Sequence, residues 1–211
     1  MTAESKQIKG LLKKLLPPVD SQLINYSWNK DDAGPNLFVN SRDAFIVYKY
    51  AEDEPSTDCI RGKTGFNNGI HAWEITWRML DRGPFPIVGV ATRESPLFEE
   101  GEKMVLGNSN QSWGWDLSTC RLYHNSADGT GKLYPESLPQ GMTMTVGEKV
   151  TLLLDMAEGT LSYISDDTYL GVAFNNLKGL KLYPIVNITK QGAQVDMKYL
   201  GGLATKSQAK K

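Results

Sequence analysis

Ser112-Trp113-Gly114-Trp115-Asp116, followed closely by Arg121-Leu122-Tyr123-His124, is the stretch whose reading decides the fold. Trp113 and Trp115 stand two residues apart, so on an extended chain both rings face the same side of a sheet. Gly114 between them leaves room for close backbone approach. Two such rings can form a stacking platform for a base or a sugar, or they can be buried core. Core is the stronger reading for at least one of them. Asp116, an acid beside so much apolar surface, is expected to hold a loop by accepting backbone N–H groups. Downstream, Leu154-Asp155-Met156-Ala157-Glu158-Gly159-Thr160-Leu161-Ser162-Tyr163 reads as two short strands joined by a tight turn at Glu158-Gly159. Gly159 can take the positive φ such a turn requires. A third strand opens at Tyr169 and runs through Leu170-Gly171-Val172-Ala173-Phe174.

The same pattern spreads outward. Leu37-Phe38-Val39, Ala44-Phe45-Ile46-Val47-Tyr48, His71-Ala72-Trp73-Glu74-Ile75-Thr76-Trp77 and Ile87-Val88-Gly89-Val90-Ala91 are strand-like. Trp73, Ile75 and Trp77 alternate with Glu74 and Thr76, so one face should be buried. Further strands are expected at Lys149 to Leu154, Thr160 to Ser165, Leu182 to Asn187 and Ala193 to Tyr199. Turn clusters such as Asn67-Asn68-Gly69 and Asp81-Arg82-Gly83-Pro84 separate them. Many short strands at this spacing favour an all-β, two-layer antiparallel sandwich over alternating βαβ units. In a sandwich, function usually lives on the loops.

Ahead of the strands, Ile8, Leu11, Leu12, Leu15 and Leu16 recur at helical spacing between lysines until Pro17-Pro18 stops the pattern. A helix this short is marginal unless its apolar face is buried. Its stripe is therefore expected to pack on the sandwich or on another copy of the chain; a membrane-surface or partner-binding helix is the other reading. At the far end, residues 201–211 are small, polar and lysine-tipped, and disorder is expected there.

The balance of 23 basic against 24 acidic residues gives no electrostatic reason to expect a nucleic-acid partner. No apolar run is long enough for a transmembrane helix. The lysines at the N-terminus interrupt any signal-peptide core. Cys59 and Cys120 are expected to be reduced thiols, and a cytoplasmic location follows from that reading. Asn25-Tyr26-Ser27 and Asn187-Ile188-Thr189 match a glycosylation triplet, which means little without a signal peptide.

Catalysis finds little support. His71 and His124 are the only histidines, and no HExxH, paired CxxC, GxSxG or glycine-rich phosphate loop occurs. His71 heads an apolar strand and is expected to pack or hydrogen-bond. Asp31 and Asp32 make a poor metal motif and are expected in a turn. Arg61-Gly62 after Thr57-Asp58 suggests a structural ion pair or a turn. No enzyme activity, cofactor or metal is expected. A hydrolase would need His71 or His124 beside a nucleophile in a cleft.

Several spaced motifs, in order, resemble the SPRY (B30.2) family, specifically the SPRY domain of the Gustavus-like SPRY domain and SOCS box proteins. They are Ser56-Thr57-Asp58-Cys59-Ile60-Arg61-Gly62-Lys63, Gly69-Ile70-His71-Ala72-Trp73, Gly107-Asn108 with Ser112 through Leu117, Arg121-Leu122-Tyr123-His124, and Leu154 through Gly179 into Leu182-Tyr183-Pro184. The resemblance covers about residues 22–200, leaving residues 1–21 as helix and linker and 201–211 as a tail. It implies a bent sandwich that recognises short peptides, an adaptor rather than an enzyme. Family members bind Asp-Ile-Asn-Asn-Asn-like segments and pass the bound protein to a ubiquitin ligase through a C-terminal SOCS box. Eleven residues follow Leu200, too few for that box, so recruitment of elongins and a cullin by the family's route is not expected from this chain.

Carried over residue by residue, the family's peptide pocket maps to Lys49, Ala51, Glu52, Asp53, Glu54, Tyr123, Thr189, Lys190 and Gln191. Tyr123 retains the family tyrosine. Lys49 keeps a positive charge without a guanidinium fork. The family's proline and alanine fall near Ala51 and Asp53, in a loop one residue longer that carries Glu52, Asp53 and Glu54. Thr189-Lys190-Gln191 replaces Val-Trp-Gly, removing an aromatic wall and a glycine. Three acids should repel an aspartate-bearing ligand. Two outcomes stay open: a different, more basic peptide, or an ancestral pocket simply lost. Self-assembly into a homo-oligomer through the N-terminal helix is the alternative function.

Overall fold

The computed structural model describes residues 3–50, 54–139 and 141–204. Two antiparallel sheets form a bent sandwich. The first runs, in spatial order, β13 (Thr168–Phe174), β12 (Thr160–Ser165), β11 (Lys149–Asp155), β5 (Ile70–Thr76), β15 (Gln194–Leu203), β3 (Ile46–Lys49) and β2 (Leu37–Val39). The second runs β1 (Trp28–Ala33), β4 (Ser56–Gly62), β14 (Tyr183–Ile188), β6 (Ile87–Ala91), β8 (Ser112–Asp116), β9 (Arg121–Tyr123) and β10 (Lys132–Leu133). A short strand, β7 (Phe98–Glu100), pairs with the first half of β4, beyond the part that β1 covers.

The core between the sheets is aromatic. Trp28, Trp73, Trp77 and Trp115 are at most 1% exposed and Trp113 is 7% exposed, so both rings of the opening stretch are core and neither is a platform. Burying a side chain of this size stabilises by about 2–3 kcal/mol. Gly114 is there for proximity: a Cβ at that position would sit 2.4 Å from Ile87. The predicted hairpin forms as β11 and β12, with Gly159 at φ +72 and Asp155 accepting the N–H groups of Ala157 and Glu158. Asp116 likewise accepts from the N–H groups of Ser118 and Thr119 at 2.7 and 3.1 Å.

The N-terminal helix α1 (Ala3–Leu12) lays Ile8, Leu11 and Leu12, with Leu15 beyond it, on the outer face of the first sheet against Ile70, Ala72 and Leu153. The stripe packs on its own sandwich. Leu16 departs from the expected stripe and is 71% exposed. Its backbone instead exchanges hydrogen bonds with Gly202. Gly201, at φ +124, permits that approach, because a Cβ there would lie 2.5 Å from the Leu16 carbonyl oxygen. Strand β15 thus continues through Leu203, into the expected tail; residues 205–211 lie outside the described residues. A second helical segment, α2 (Asp20–Leu23), follows the prolines.

Asp31 and Asp32 are not in a turn. They lie in β1, where Asp32 takes a two-pronged ion pair from the buried Arg61 at 2.8 and 2.9 Å. Hydrogen bonds from Arg61 hold the Asp32 carboxyl below its ordinary range. Arg61 also donates to the carbonyls of Thr92, Arg93 and Ser95, pinning the loop after β6.

Candidate functional site

Strand β6 has two buried faces. Val88 and Val90 point into the sandwich, while Ile87 and Ala91 join a smaller apolar cluster on the outer side of the second sheet. Tyr123, the last residue of β9, belongs to this outer cluster with Val105, Leu106 and Ile185. It is 6% exposed, and Gly107 and Gly131 make room for it: a Cβ at either would fall 2.5 Å from its side chain. A cavity of about 480 Å³ opens beside it, walled by Phe85, Met104 and Tyr123 and rimmed by Glu99, Glu102 and Lys103. Among the described residues the Tyr123 hydroxyl has no hydrogen-bond partner. The oxygen is not sealed in and opens on the cavity.

The walls are held by a buried amide. Asn187 is fully buried; its Oδ1 accepts from the N–H groups of Val105 and Leu106 at 3.1 and 3.2 Å, and its Nδ2 donates to the Phe85 carbonyl at 2.8 Å. One side chain therefore ties the loop before β6 and the loop after β7 to β14. Phe85 sits at φ +52, a region where a bulky residue is rare. Thr189 reinforces that loop by donating to the Pro84 carbonyl at 2.5 Å. The triplet Asn187-Ile188-Thr189 is thus part of the buried frame.

The nine predicted pocket residues divide. Tyr123 lines the cavity just described. Glu54 lines a second one, of about 550 Å³, with Pro55, Phe98 and Glu100 on the other side of β7. Lys49 lies underneath: its side chain has no exposure, and its ammonium donates to Asp58 at 2.5 Å and to Ser56 at 2.7 Å. Thr189 is buried, whereas Lys190 and Gln191 are exposed. Lys190 donates to the Leu80 carbonyl, on the loop that carries Phe85. The backbone of Lys49 exchanges hydrogen bonds with Ala193 and Gly192, so the 189–191 loop is anchored beside it. Ala51, Glu52 and Asp53 lie outside the described residues. Sequence reasoning missed Phe85, Met104, Asn187 and the acids of the β7 segment.

Among the described residues neither histidine ring bonds to a serine, threonine or cysteine side chain. His71 Nδ1 meets the Tyr199 hydroxyl at 2.8 Å and Nε2 meets the Asn68 carbonyl at 2.9 Å. His124 stacks on Trp113 at 4.5 Å, with Nδ1 on the Ser112 carbonyl. Among the described residues no group of three or more His, Cys, Asp or Glu is placed to hold a metal. Cys59 and Cys120 are buried free thiols, and burial pushes both up, away from the reactive thiolate. Among the described residues no helix is long and apolar enough to cross a membrane.

The sequence model of the SPRY domain matches residues 70–200. The chain belongs to the SPRY family. It is 45% identical over 190 residues to human SPRY domain-containing SOCS box protein 1, covering 89% of this chain and 69% of that protein. Its identity to the Protein gustavus of Drosophila melanogaster is 43% over 189 residues, covering 89% and 67%. Among solved structures, the SPRY domain of human HERC1 superposes with a TM-score of 0.61 at 17% identity, over 86% of this chain and all of that one. The TRIM65 PSpry domain gives 0.64 at 18% identity, over 92% and 98%. These two likenesses speak to the fold. A SPRY domain of this kind is a non-catalytic adaptor module, a β-sandwich that binds other proteins.

Proposed function

We propose that this SPRY domain recognises a short peptide segment of another protein at the loop end that carries Tyr123, and that its ligand differs from the Asp-Ile-Asn-Asn-Asn-like segments of its relatives. The observation that carries this reading is a Tyr123 side chain, packed over most of its surface, whose hydroxyl has no partner among the described residues and opens on a cavity of about 480 Å³. A cavity of that size, with Phe85, Met104 and Tyr123 as walls and charged residues at its rim, has room for a ligand side chain.

The divergence rests on charge. Glu99 and Glu102 rim the Tyr123 cavity, and Glu54 and Glu100 rim its neighbour. A ligand aspartate brought to this rim meets like charge, and juxtaposed like charges select against a partner. Lys49, the one basic residue matched to the family's first pocket loop, directs its ammonium inward to Asp58.

Isothermal titration with an Asp-Ile-Asn-Asn-Asn peptide tests the reading. No binding, or a Kd weaker than about 100 μM (roughly −5.5 kcal/mol), is expected. A complex at low micromolar Kd or tighter overturns the divergence while leaving the peptide site standing.

A further inference from the structure

We propose that the cavity between Phe85 and Tyr123 receives a lysine or arginine side chain of the partner peptide, which names the ligand class for the peptide-binding reading above and rests on it. Three independent features converge on that chemistry.

The walls come first. Tyr123 and the half-buried Phe85 and Met104 offer two rings and a thioether to a ligand side chain. Such surfaces take a long aliphatic stem along their length and hold a cation over a ring face. Next is the rim. Glu54, Glu99, Glu100 and Glu102 line the two cavities flanking β7, against Lys103 as the one cation lining either. Lys103 stands 3.8 Å from Glu99, which leaves Glu102 without a cationic partner among the described residues. At the Tyr123 cavity itself two carboxylates, Glu99 and Glu102, face one ammonium, and Glu54 and Glu100 beyond β7 add to the negative field, so a basic guest is favoured over an acidic one. The last feature is the Tyr123 hydroxyl, which has no partner among the described residues and opens on the cavity although the residue as a whole is more than nine-tenths buried. It is ready to accept one N–H from the arriving cation while a carboxylate at the mouth accepts another.

Phe85 supplies the aromatic wall that Lys190 does not. Its position is built in: the Asn187 amide and the Thr189 hydroxyl hold the carbonyls of Phe85 and Pro84. A residue kept in a rarely populated backbone region by that many bonds is held there by its surroundings.

The test is a random twelve-residue peptide phage library panned on the full chain and, in parallel, on the Glu99→Gln/Glu102→Gln double variant. The wild-type chain should enrich sequences sharing a lysine or arginine at one recurrent position, and the double variant should lose that preference. For one synthesised winner, calorimetry should show roughly tenfold weaker binding to the double variant and to Phe85→Ala. Glu158→Gln, on the β11–β12 turn, should bind unchanged. Glu99 and Glu102 are exposed, so the double variant tests the proposal even if Phe85→Ala fails to fold. Winners with no basic position, or with acidic ones, overturn this proposal while the peptide site survives. If no recurrent sequence emerges from the wild-type chain, the peptide reading falls and this proposal falls with it.

Discussion

Two aromatic clusters sit at opposite ends of this sandwich, and they differ in what they leave unfinished. Beneath the N-terminal segment, Tyr26, Phe66, His71 and Tyr199 stack in a ladder, with Tyr26 4.2 Å from Tyr199 and Phe66 3.5 Å from His71. Both nitrogens of His71 are satisfied, one by the Tyr199 hydroxyl itself. At the other end, Tyr123 is as buried as Tyr199, yet its hydroxyl meets nothing and its neighbour Phe85 is held at φ +52. The His71–Tyr199 pair is complete in the isolated chain. The second cluster has the form of a surface completed by a partner. Burial alone does not distinguish the two ends; what differs is that an unpartnered hydroxyl opens on a cavity at one of them.

The largest expected effect tests whether the open end stands on a rigid base. Lys49 and Asp58 form an ion pair with no side-chain exposure, and Ser56 bonds to both. Lys49→Ala strands a buried carboxylate and should destabilise by about 3–5 kcal/mol in urea denaturation. A loss under about 1 kcal/mol would mean that water already reaches Asp58, and that the base is as open as the rim.

The closed end makes its own prediction through pH. Burial lowers the His71 pKa from 6.5 to about 4, so the folded chain keeps this ring neutral where the unfolded chain protonates it. The unfolded state then binds more protons between about pH 6.5 and 4, and stability must fall as pH drops through that window. The His71 contribution is intact above pH 6.5. It declines by up to about 3 kcal/mol on reaching pH 4, at about 1.4 kcal/mol per unit. Denaturation of the wild type and of His71→Gln across that window should give diverging curves, the wild type being steeper. Parallel curves would show that the ring is not sealed.

The helix that covers this face is expected to matter somewhat less. Leu15, 6% exposed, packs on Ala72 and Leu153. Leu15→Ala should cost about 2 kcal/mol, at the low end for a buried leucine because the segment can settle onto the sheet. Were the variant instead to lose mass by light scattering at unchanged stability, the stripe would be an interface between copies.

How much of this was legible in the residues follows from the range of each interaction. The tryptophan run, the Gly159 hairpin and the leucine stripe announce themselves because their signal repeats every two or every three to four residues. Asp31 and Asp32 read as a turn because the partner that draws Asp32 into a strand, Arg61, is 29 residues away. Asn187 reads as part of a surface triplet, although its partners are Phe85, Val105 and Leu106. Nothing within a short window encodes that. The three-residue β7 has no periodicity to detect, so its acids carry no local signal. Lys49 reads as a pocket residue by its match to the family, and only the packing reveals where its ammonium goes.

The smallest effect is the sharpest test of the contrast, because it asks about single oxygen atoms. Tyr199→Phe removes the hydroxyl that meets His71 at 2.8 Å and leaves a buried ring nitrogen unpaired. About 1 kcal/mol of stability should be lost, the ordinary cost of a buried neutral hydrogen bond. Tyr123→Phe removes a hydroxyl that bonds to nothing among the described residues, so the thermal midpoint should move by no more than about 0.5 kcal/mol would shift it. Partner binding should show the reverse order, with Tyr123→Phe weakening a selected peptide and Tyr199→Phe leaving it untouched. If the two variants lose equal stability, the Tyr123 oxygen is already satisfied, and the two ends of the sandwich are alike after all.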